Sequence, residues 1–467
     1  MPETTQMTKP SERGLYDNVS PADFRYWHED AAELLSENGF TRYKLRVELA
    51  LPRALHRRGL CSESVVADVE QACLAVETGQ VYAEERRIKH DIRALVNLIR
   101  EQVSDEVKPF VHMTATSYDI VDTANAARFK DVAGLVLLPV LTELEKTLIE
   151  IAEREAETVQ VGRTHGQHAV PITFGFAMAG YVSRLGNCIK AIRSRADELV
   201  GKFSGAVGAY NASSLFFDDP EAFEAEVLAE LGLAPAEHST QIAPPEAMTR
   251  FLSEVVITAG VVANLARDMR NLQRTEIGEV GEEFSEDQVG SSTMPQKRNP
   301  INFENTESMW KIVLPRLQTV MMDQVSEHQR DLTNSASSRT YGEIVIYVVE
   351  MAKRMNRVMK KLRVDEGNLS RNFAAQKGLI SAEPLYITLA ALGHPDAHEA
   401  VRKLTLEAQA SDRPLYEVAQ VEPELQPFWE RMTPRQKEVI SMPASYTGIA
   451  AAKAKKVAER WRTELKL

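Results

Sequence analysis

A mostly α-helical protein of three domains, built round a central bundle of long helices, is predicted by three observations. Apolar residues recur at three- and four-residue steps over long segments, and alternating strand patterns are nearly absent. Aromatics make up only 7% of the chain, whereas Ala, Leu, Val, Glu and Arg recur throughout, a balance that favours helix over sheet.

Helical periodicity covers 41–60, 63–102, 121–160, 172–200, 246–280, 301–328 and 340–363. Within 121–160, Leu141, Leu144, Leu148 and Ile151 form one apolar stripe. Within 172–200, Gly175, Ala177, Ala179 and Gly180 let neighbouring backbones approach closely. The stripe in 246–280 holds Phe251, Leu252, Val255, Val256, Ala259, Val262, Leu265, Ala266, Met269 and Leu272, and a run of that length belongs to a bundle. A helix of roughly 35 residues spans about 50 Å, more than a small domain needs. Apolar residues round much of its circumference point to bundles from several subunits packing together, although a buried core helix reads the same way. The last 95 residues hold shorter helices, interrupted near Gly393-His394-Pro395 and Pro434. The expected division is an N-terminal helical domain over 1–120, the central bundle over 121–365 and a C-terminal helical domain over 366–467.

The net charge of −12 repels nucleic acid, so an anionic substrate needs a local basic pocket. Cys61, Cys73 and Cys188 lie in apolar or helical contexts without paired spacing, which reads as core residues in a reducing compartment. The first twenty residues are polar, against a secretory signal, and no run of 18 apolar residues occurs, against a membrane span. A cytoplasmic protein is expected. No metal-ligand spacing, phosphate-cradling loop or dinucleotide fingerprint is present, so neither metal nor cofactor is expected.

Three stretches between the helices are dense in hydrogen-bonding side chains. The first runs from His112 through Thr114, Thr116, Ser117 and Tyr118 to Asp119. The second is Gly162-Arg163-Thr164-His165-Gly166-Gln167, a loop between two long helices. The third, Gly290-Ser291-Ser292-Thr293-Met294-Pro295-Gln296-Lys297-Arg298-Asn299-Pro300, follows a charged, apolar-poor loop that can close over a substrate, and Lys297 beside a helix start makes an anion site. A fourth group, from Arg330 to Arg339, has arginines and hydroxyls suited to carboxylate or phosphate. Ser335 and Arg339 share a face if it runs into the 340–363 helix. His165 and His112 either satisfy backbone groups or carry chemistry, and the adjacent His90 and Asp91 either orient an imidazole or lie on the surface. Pattern alone leaves these open.

Residues 290–300 resemble the hallmark loop of the fumarase/aspartase superfamily, and 162–167 and 116–119 resemble its two other shared blocks, in order. Within it the chain looks most like the adenylosuccinate lyase family. Arg25-Tyr26 is similar to that family's N-terminal substrate stretch, Glu85 to Asp91 to its first histidine motif, Lys202 to Gly208 to its Gly-rich turn, and Ser239-Thr240-Gln241 to a segment with a substrate glutamine. The chain departs from the pattern at Pro244-Pro245, where an arginine and an acid are usual, at Gln296 and at Asn334.

The resemblance implies β-elimination of fumarate from adenylosuccinate, giving AMP, and from the succinyl-aminoimidazole carboxamide ribotide. It implies a homotetrameric helical core whose active sites each draw on three subunits. By resemblance Ser291 is the base, His165 the acid oriented by Glu304, and Lys297, Asn299 and Ser292 the donors for charge developing on the carboxylate. His90, Asp91, His112, Thr116, Ser117, Thr164 and Gln241 would bind and orient the substrate, with Arg25 and Tyr26. Arg330, Ser335 and Arg339 would hold its phosphate. The rivals are argininosuccinate lyase or carboxymuconate cycloisomerase activity, or a non-catalytic structural relative.

Overall fold

The computed structural model describes residues 18–283, 293–294, 296–376 and 378–467. These residues are mostly helical. Five long helices, Leu138–Arg154, Phe174–Asp197, Glu246–Leu272, Ile301–Met322 and Tyr341–Lys360, carry the expected stripes. Leu141, Leu144, Leu148 and Ile151 are buried, as is every member of the 246–280 stripe up to Met269. Leu272, the last of them, is half-buried at the helix end. Glu246–Leu272 is long and apolar enough to cross a membrane, but 61% of its most apolar window is packed inside the protein, as in a core helix.

Local chemistry moves several expected boundaries. The pattern over 63–102 is three helices, Glu63–Ala75, Thr78–Ile88 and Asp91–Glu101. Each break has its own cap. Glu77 and Gln80 form a reciprocal capping box, and Lys89 turns left-handed at φ 61° so that His90 can start the third helix. The 121–160 pattern is Ser117–Val132, a π-helical turn Ala133–Leu137 and Leu138–Arg154.

The helix then stops, and the chain enters strands that the sequence pattern did not reveal. Val159–Thr164 pairs antiparallel with Gln167–Thr173, so His165 tips a β-hairpin where a simple loop was expected. His165 and Gly166 both have positive φ, 54° and 73°, the backbone that a two-residue hairpin turn needs. A register shift lies between Val161 and Arg163, and a Cβ on the intervening Gly162 would meet the Val170 carbonyl oxygen at 2.4 Å. Two-residue pairings also join Val200–Gly201 to Ala234–Pro235 and Val280–Gly281 to Arg363–Val364.

The chain divides into two compact units. One comprises the residues up to Leu141, Cys188–Gly260 and Ser308–Ala352; the other comprises Thr142–Asn187, Val261–Glu307 and Lys353–Leu467. In the first unit a buried Lys202–Asp119 ion pair ties the Gly-rich turn to the helix Ser117–Val132, and Thr123 Oγ1 closes the link by donating to the Lys202 carbonyl at 2.8 Å. In the second, a Cβ on Gly175 would meet the Ala152 carbonyl oxygen at 2.5 Å, so this glycine admits the neighbouring helix, as expected. Gly180, by contrast, faces open space. Leu385, Leu389, Val401, Leu404, Leu415, Val418 and Ile440 form a core of their own within the C-terminal hundred residues.

Candidate active site

In the first unit a cavity of about 550 Å³ is lined by His90, Asp91, Ser117, Gln241, Arg330, Ser335 and Arg339, all expected substrate-binding residues. His90 caps the helix Asp91–Glu101, its Nδ1 accepting from the Arg93 backbone N–H at 3.2 Å. In a neutral ring this places the proton on Nε2. The Arg330 guanidinium lies over the Tyr118 ring, 3.2 Å from its centroid, and its buried Nη2 has no hydrogen-bond partner among the described residues. Arg339 Nη1 donates to Glu37 at 3.0 Å, and both side chains are about half exposed. Ser335 and Arg339 do not share an α-helical face, because Ser337–Thr340 is a 3₁₀ turn and the helix starts at Tyr341. Both nonetheless line the cavity.

The departures Pro244, Pro245 and Asn334 line one smaller cavity of about 110 Å³, which shares Tyr118, Val121, Asn125 and Ser338 with the first. It also holds Asp122, which accepts from the Ala243 N–H at 2.9 Å and whose carboxyl burial pushes up to about 6.

Other expected residues lie outside both cavities. His112, in a left-handed backbone at φ 62°, sets its Nδ1 2.7 Å from Oε1 of the buried Glu48. Burial alone would lower the pKa of the ring, but the Glu48 carboxylate outweighs it and favours the imidazolium. Thr116 is the N-cap of Ser117–Val132, boxed with Asp119. Tyr26 packs on Tyr347 with ring centroids 5.5 Å apart, beside an exposed Arg25.

In the second unit a cavity of about 840 Å³ is lined by Arg270, Arg274, Gln296, Lys297, Arg298, Asn299 and Glu304, among others. Its cations, Arg270, Arg274, Lys297, Arg298 and Arg363, outnumber the acids Glu282, Glu304 and Asp365, a balance suited to carboxylates. Glu304 stands in the first turn of Ile301–Met322. The helix start is held by Glu282, which accepts from the backbone N–H groups of Asn302 at 3.0 Å and Phe303 at 3.2 Å. His165 and Thr164 line neither this cavity nor those of the first unit, and stand exposed at the hairpin tip. Ser291 and Ser292 lie outside the described residues. No His/Cys/Asp/Glu cluster that could hold a metal occurs among the described residues.

Among the buried glutamates that the sequence pattern did not single out are Glu48, Glu145 and Glu279. Glu48 falls three residues from both Leu45 and Leu51, and Glu145 four from Leu141, so each interrupts an apolar stripe, a signal that was available. Both Glu145 oxygens are without a hydrogen-bond partner among the described residues, and burial pushes this carboxyl up to about 9. Glu279 had no such signal. It lies in a charged segment and is buried between the hairpin and the helix Glu366–Ala374.

Residues 5–314 match the Lyase family and 326–436 the adenylosuccinate lyase C-terminal family. The adenylosuccinate lyase of Pyrococcus horikoshii is 38% identical over 94% of this chain and 97% of its own, and that of Archaeoglobus fulgidus 33% over 96% and 99%. The chain belongs to the adenylosuccinate lyase family. The superfamily fold is shared more widely. A 3-carboxy-cis,cis-muconate lactonizing enzyme from Pseudomonas putida superposes with a TM-score of 0.81 at 28% identity, covering 94% of this chain and 98% of its own. A Mesorhizobium fumarate lyase gives the same TM-score over 93% and 98% at 23% identity, a likeness of fold alone. Family membership thus agrees with the order of the three polar blocks along the sequence.

Proposed function

We propose that this lyase eliminates fumarate from adenylosuccinate, giving AMP, and from the succinyl-aminoimidazole carboxamide ribotide, working as a cytoplasmic homotetramer without metal or cofactor. The observation that carries the substrate reading is the convergence of Arg330, Ser335 and Arg339 with His90, Asp91 and Gln241 on one cavity, whose arginines can meet a phosphate. Full-length similarity to adenylosuccinate lyases supports the same substrate.

In this reading Ser291 takes the proton from the carbon beside one carboxylate, and the electron pair left behind expels the nitrogen. His165 protonates that nitrogen as the C–N bond breaks. Charge builds on the carboxylate during proton removal, so Lys297, Asn299 and Ser292 must be in place beforehand. Glu304 orients His165. Ser117, Thr116, Thr164, His112, Arg25 and Tyr26 complete the substrate contacts. Two features support sites assembled from several subunits: the concave binding wall, and the exposed position of His165 at a hairpin tip. The separate core within 366–467 supports a distinct C-terminal domain beside the 1–120 and 121–365 divisions.

Ultraviolet absorbance during incubation with a panel of fumarate-releasing substrates tests the function. Adenylosuccinate and the carboxamide ribotide should be consumed with release of fumarate. Turnover of argininosuccinate or a carboxymuconate in their place would overturn the reading.

A further inference from the structure

Glu279 is wholly buried, yet every hydrogen-bonding direction of its carboxylate is used. Oε2 accepts from Gln160 Nε2 at 2.8 Å and from Arg163 Nη1 at 3.0 Å, and Oε1 accepts from Arg163 Nη2 at 2.5 Å and from Asn372 Nδ2 at 2.9 Å. Gln160 and Arg163 belong to the first strand of the hairpin, and Arg163 precedes His165 by two residues. Asn372 belongs to the helix Glu366–Ala374. The backbone of Glu279 is fixed as well. Its N–H donates to the Leu272 carbonyl at 3.0 Å, at the end of a long helix, and its carbonyl accepts from Asp365 at 2.9 Å, just ahead of Glu366–Ala374. Asn372 Nδ2 also donates to the Ile277 carbonyl at 2.8 Å, and Asn368 Nδ2 to that of Gly278 at 2.9 Å.

The hairpin needs such an anchor. It has only two strands, a register shift sits between Val161 and Arg163, and its tip is exposed. A two-stranded hairpin by itself is marginally stable in water. The two-point Arg163 fork fixes both the direction and the height of the strand that ends at the tip. Gln160 and Arg163 lie on opposite sides of the register shift, and a single carboxylate spans both.

We propose that Glu279 is a positioning residue for the elimination: by clamping Gln160 and Arg163 to the helix Glu366–Ala374 it sets the attitude of the hairpin tip and thereby the placement of His165. The proposal rests on the role given to His165 above. Glu279→Gln would present an amide N–H₂ to donors on Arg163, Gln160 and Asn372 and leave the half-buried Arg163 charge without its partner.

The experiment measures kcat and KM for adenylosuccinate in Glu279→Gln, in His165→Ala and in the double variant, with tetramer mass and melting temperature checked for each. Glu279→Gln should lower kcat by roughly 30- to 100-fold, the scale expected when a reacting group is misplaced by about 1 Å, and move KM by less than about threefold. In the His165→Ala background the same change should cost nothing further, because its effect passes through the imidazole. Glu279→Asp, which keeps the charge, should recover part of kcat. Should Glu279→Gln fail to assemble, Arg163→Lys carries the same test, since it keeps the charge and removes the fork. A wild-type kcat in the folded variant, or a loss that multiplies with that of His165→Ala, overturns the proposal and leaves the role of His165 standing. An active His165→Ala enzyme overturns that role itself.

Discussion

The cavity of the first unit and the hairpin of the second solve opposite problems. The cavity is concave, and the residues proposed to bind the substrate sit on the rim of secondary structure: His90 at a helix start, Arg339 in a 3₁₀ turn, Arg330 laid over a tyrosine. Their mutual contacts are half-exposed pairs such as Arg339–Glu37, which exchange readily for a ligand. The hairpin is convex. Its tip residue, His165, the proposed acid, is exposed, and Glu279 forms a buried anchor beneath it. The difference teaches that binding and proton transfer ask different things of a scaffold. A phosphate tolerates adjustable arginines, whereas an acid must be held at a fixed position before the reaction begins.

The largest expected effect tests the convex side. His165→Ala should reduce kcat by roughly 10²–10⁴-fold while substrate still binds, the usual worth of general acid–base catalysis. Ser291→Ala should do the same, and the two inactive variants should complement when refolded together. Recovery up to about a quarter of wild-type activity is expected for random mixing of independent sites. No recovery, with hybrids confirmed by mass, would place both residues on one subunit within each site.

The next effect tests the concave side. Arg339→Ala should raise the KM for adenylosuccinate and leave kcat nearly intact. Loss of a charge-assisted contact costs about 1.5–3 kcal/mol, and because Arg339 gives up Glu37 to meet the ligand, the lower end is expected. An unchanged KM would remove the phosphate from this wall.

The smallest effect sharpens the contrast between two glutamates three residues apart. Glu279 faces a guanidinium, and the hydrogen bonds from Arg163, Gln160 and Asn372 outweigh burial and hold its carboxyl below the usual range. Glu282 faces the N–H groups of a helix start, and there burial prevails and raises its carboxyl. In Glu282→Gln the side-chain oxygen can still accept from the Asn302 and Phe303 N–H groups, but the amide N–H₂ meets Asn302 Nδ2, so stability should fall by about 1 kcal/mol, the low end of the cost of one unmet donor. A loss of kcat as large as that expected for Glu279→Gln would mean that geometry at the helix start, and not charge at the hairpin base, governs the site.

Much of this was legible in the sequence. The apolar stripe of 246–280 turned inward as its spacing required up to Met269, because a period of 3.6 residues leaves one face to bury. Arg330, Ser335 and Arg339 were chosen for their chemistry, and the structure gathers them round one cavity although the helical face expected of the latter two is absent. The hairpin was not legible. Its two strands lie between long helices and take their register from an irregularity at Gly162 and a left-handed His165-Gly166 turn, neither of which leaves an alternating pattern.

The sequence by itself determined the helical class, the order of the polar blocks and the residue types able to move a proton or hold an anion, since these follow from periodicity and side-chain chemistry. Only the tertiary structure decided which carboxylates are structural. Glu48, Glu145 and Glu279 are the same residue type in different settings: one pairs with His112, one has no hydrogen-bond partner among the described residues and is driven up to about 9, and one is held charged by Arg163. The balance between desolvation and partner is a property of three-dimensional neighbours, and residues distant in sequence supply it: Glu48 lies 64 residues from His112, and Glu279 lies 116 from Arg163.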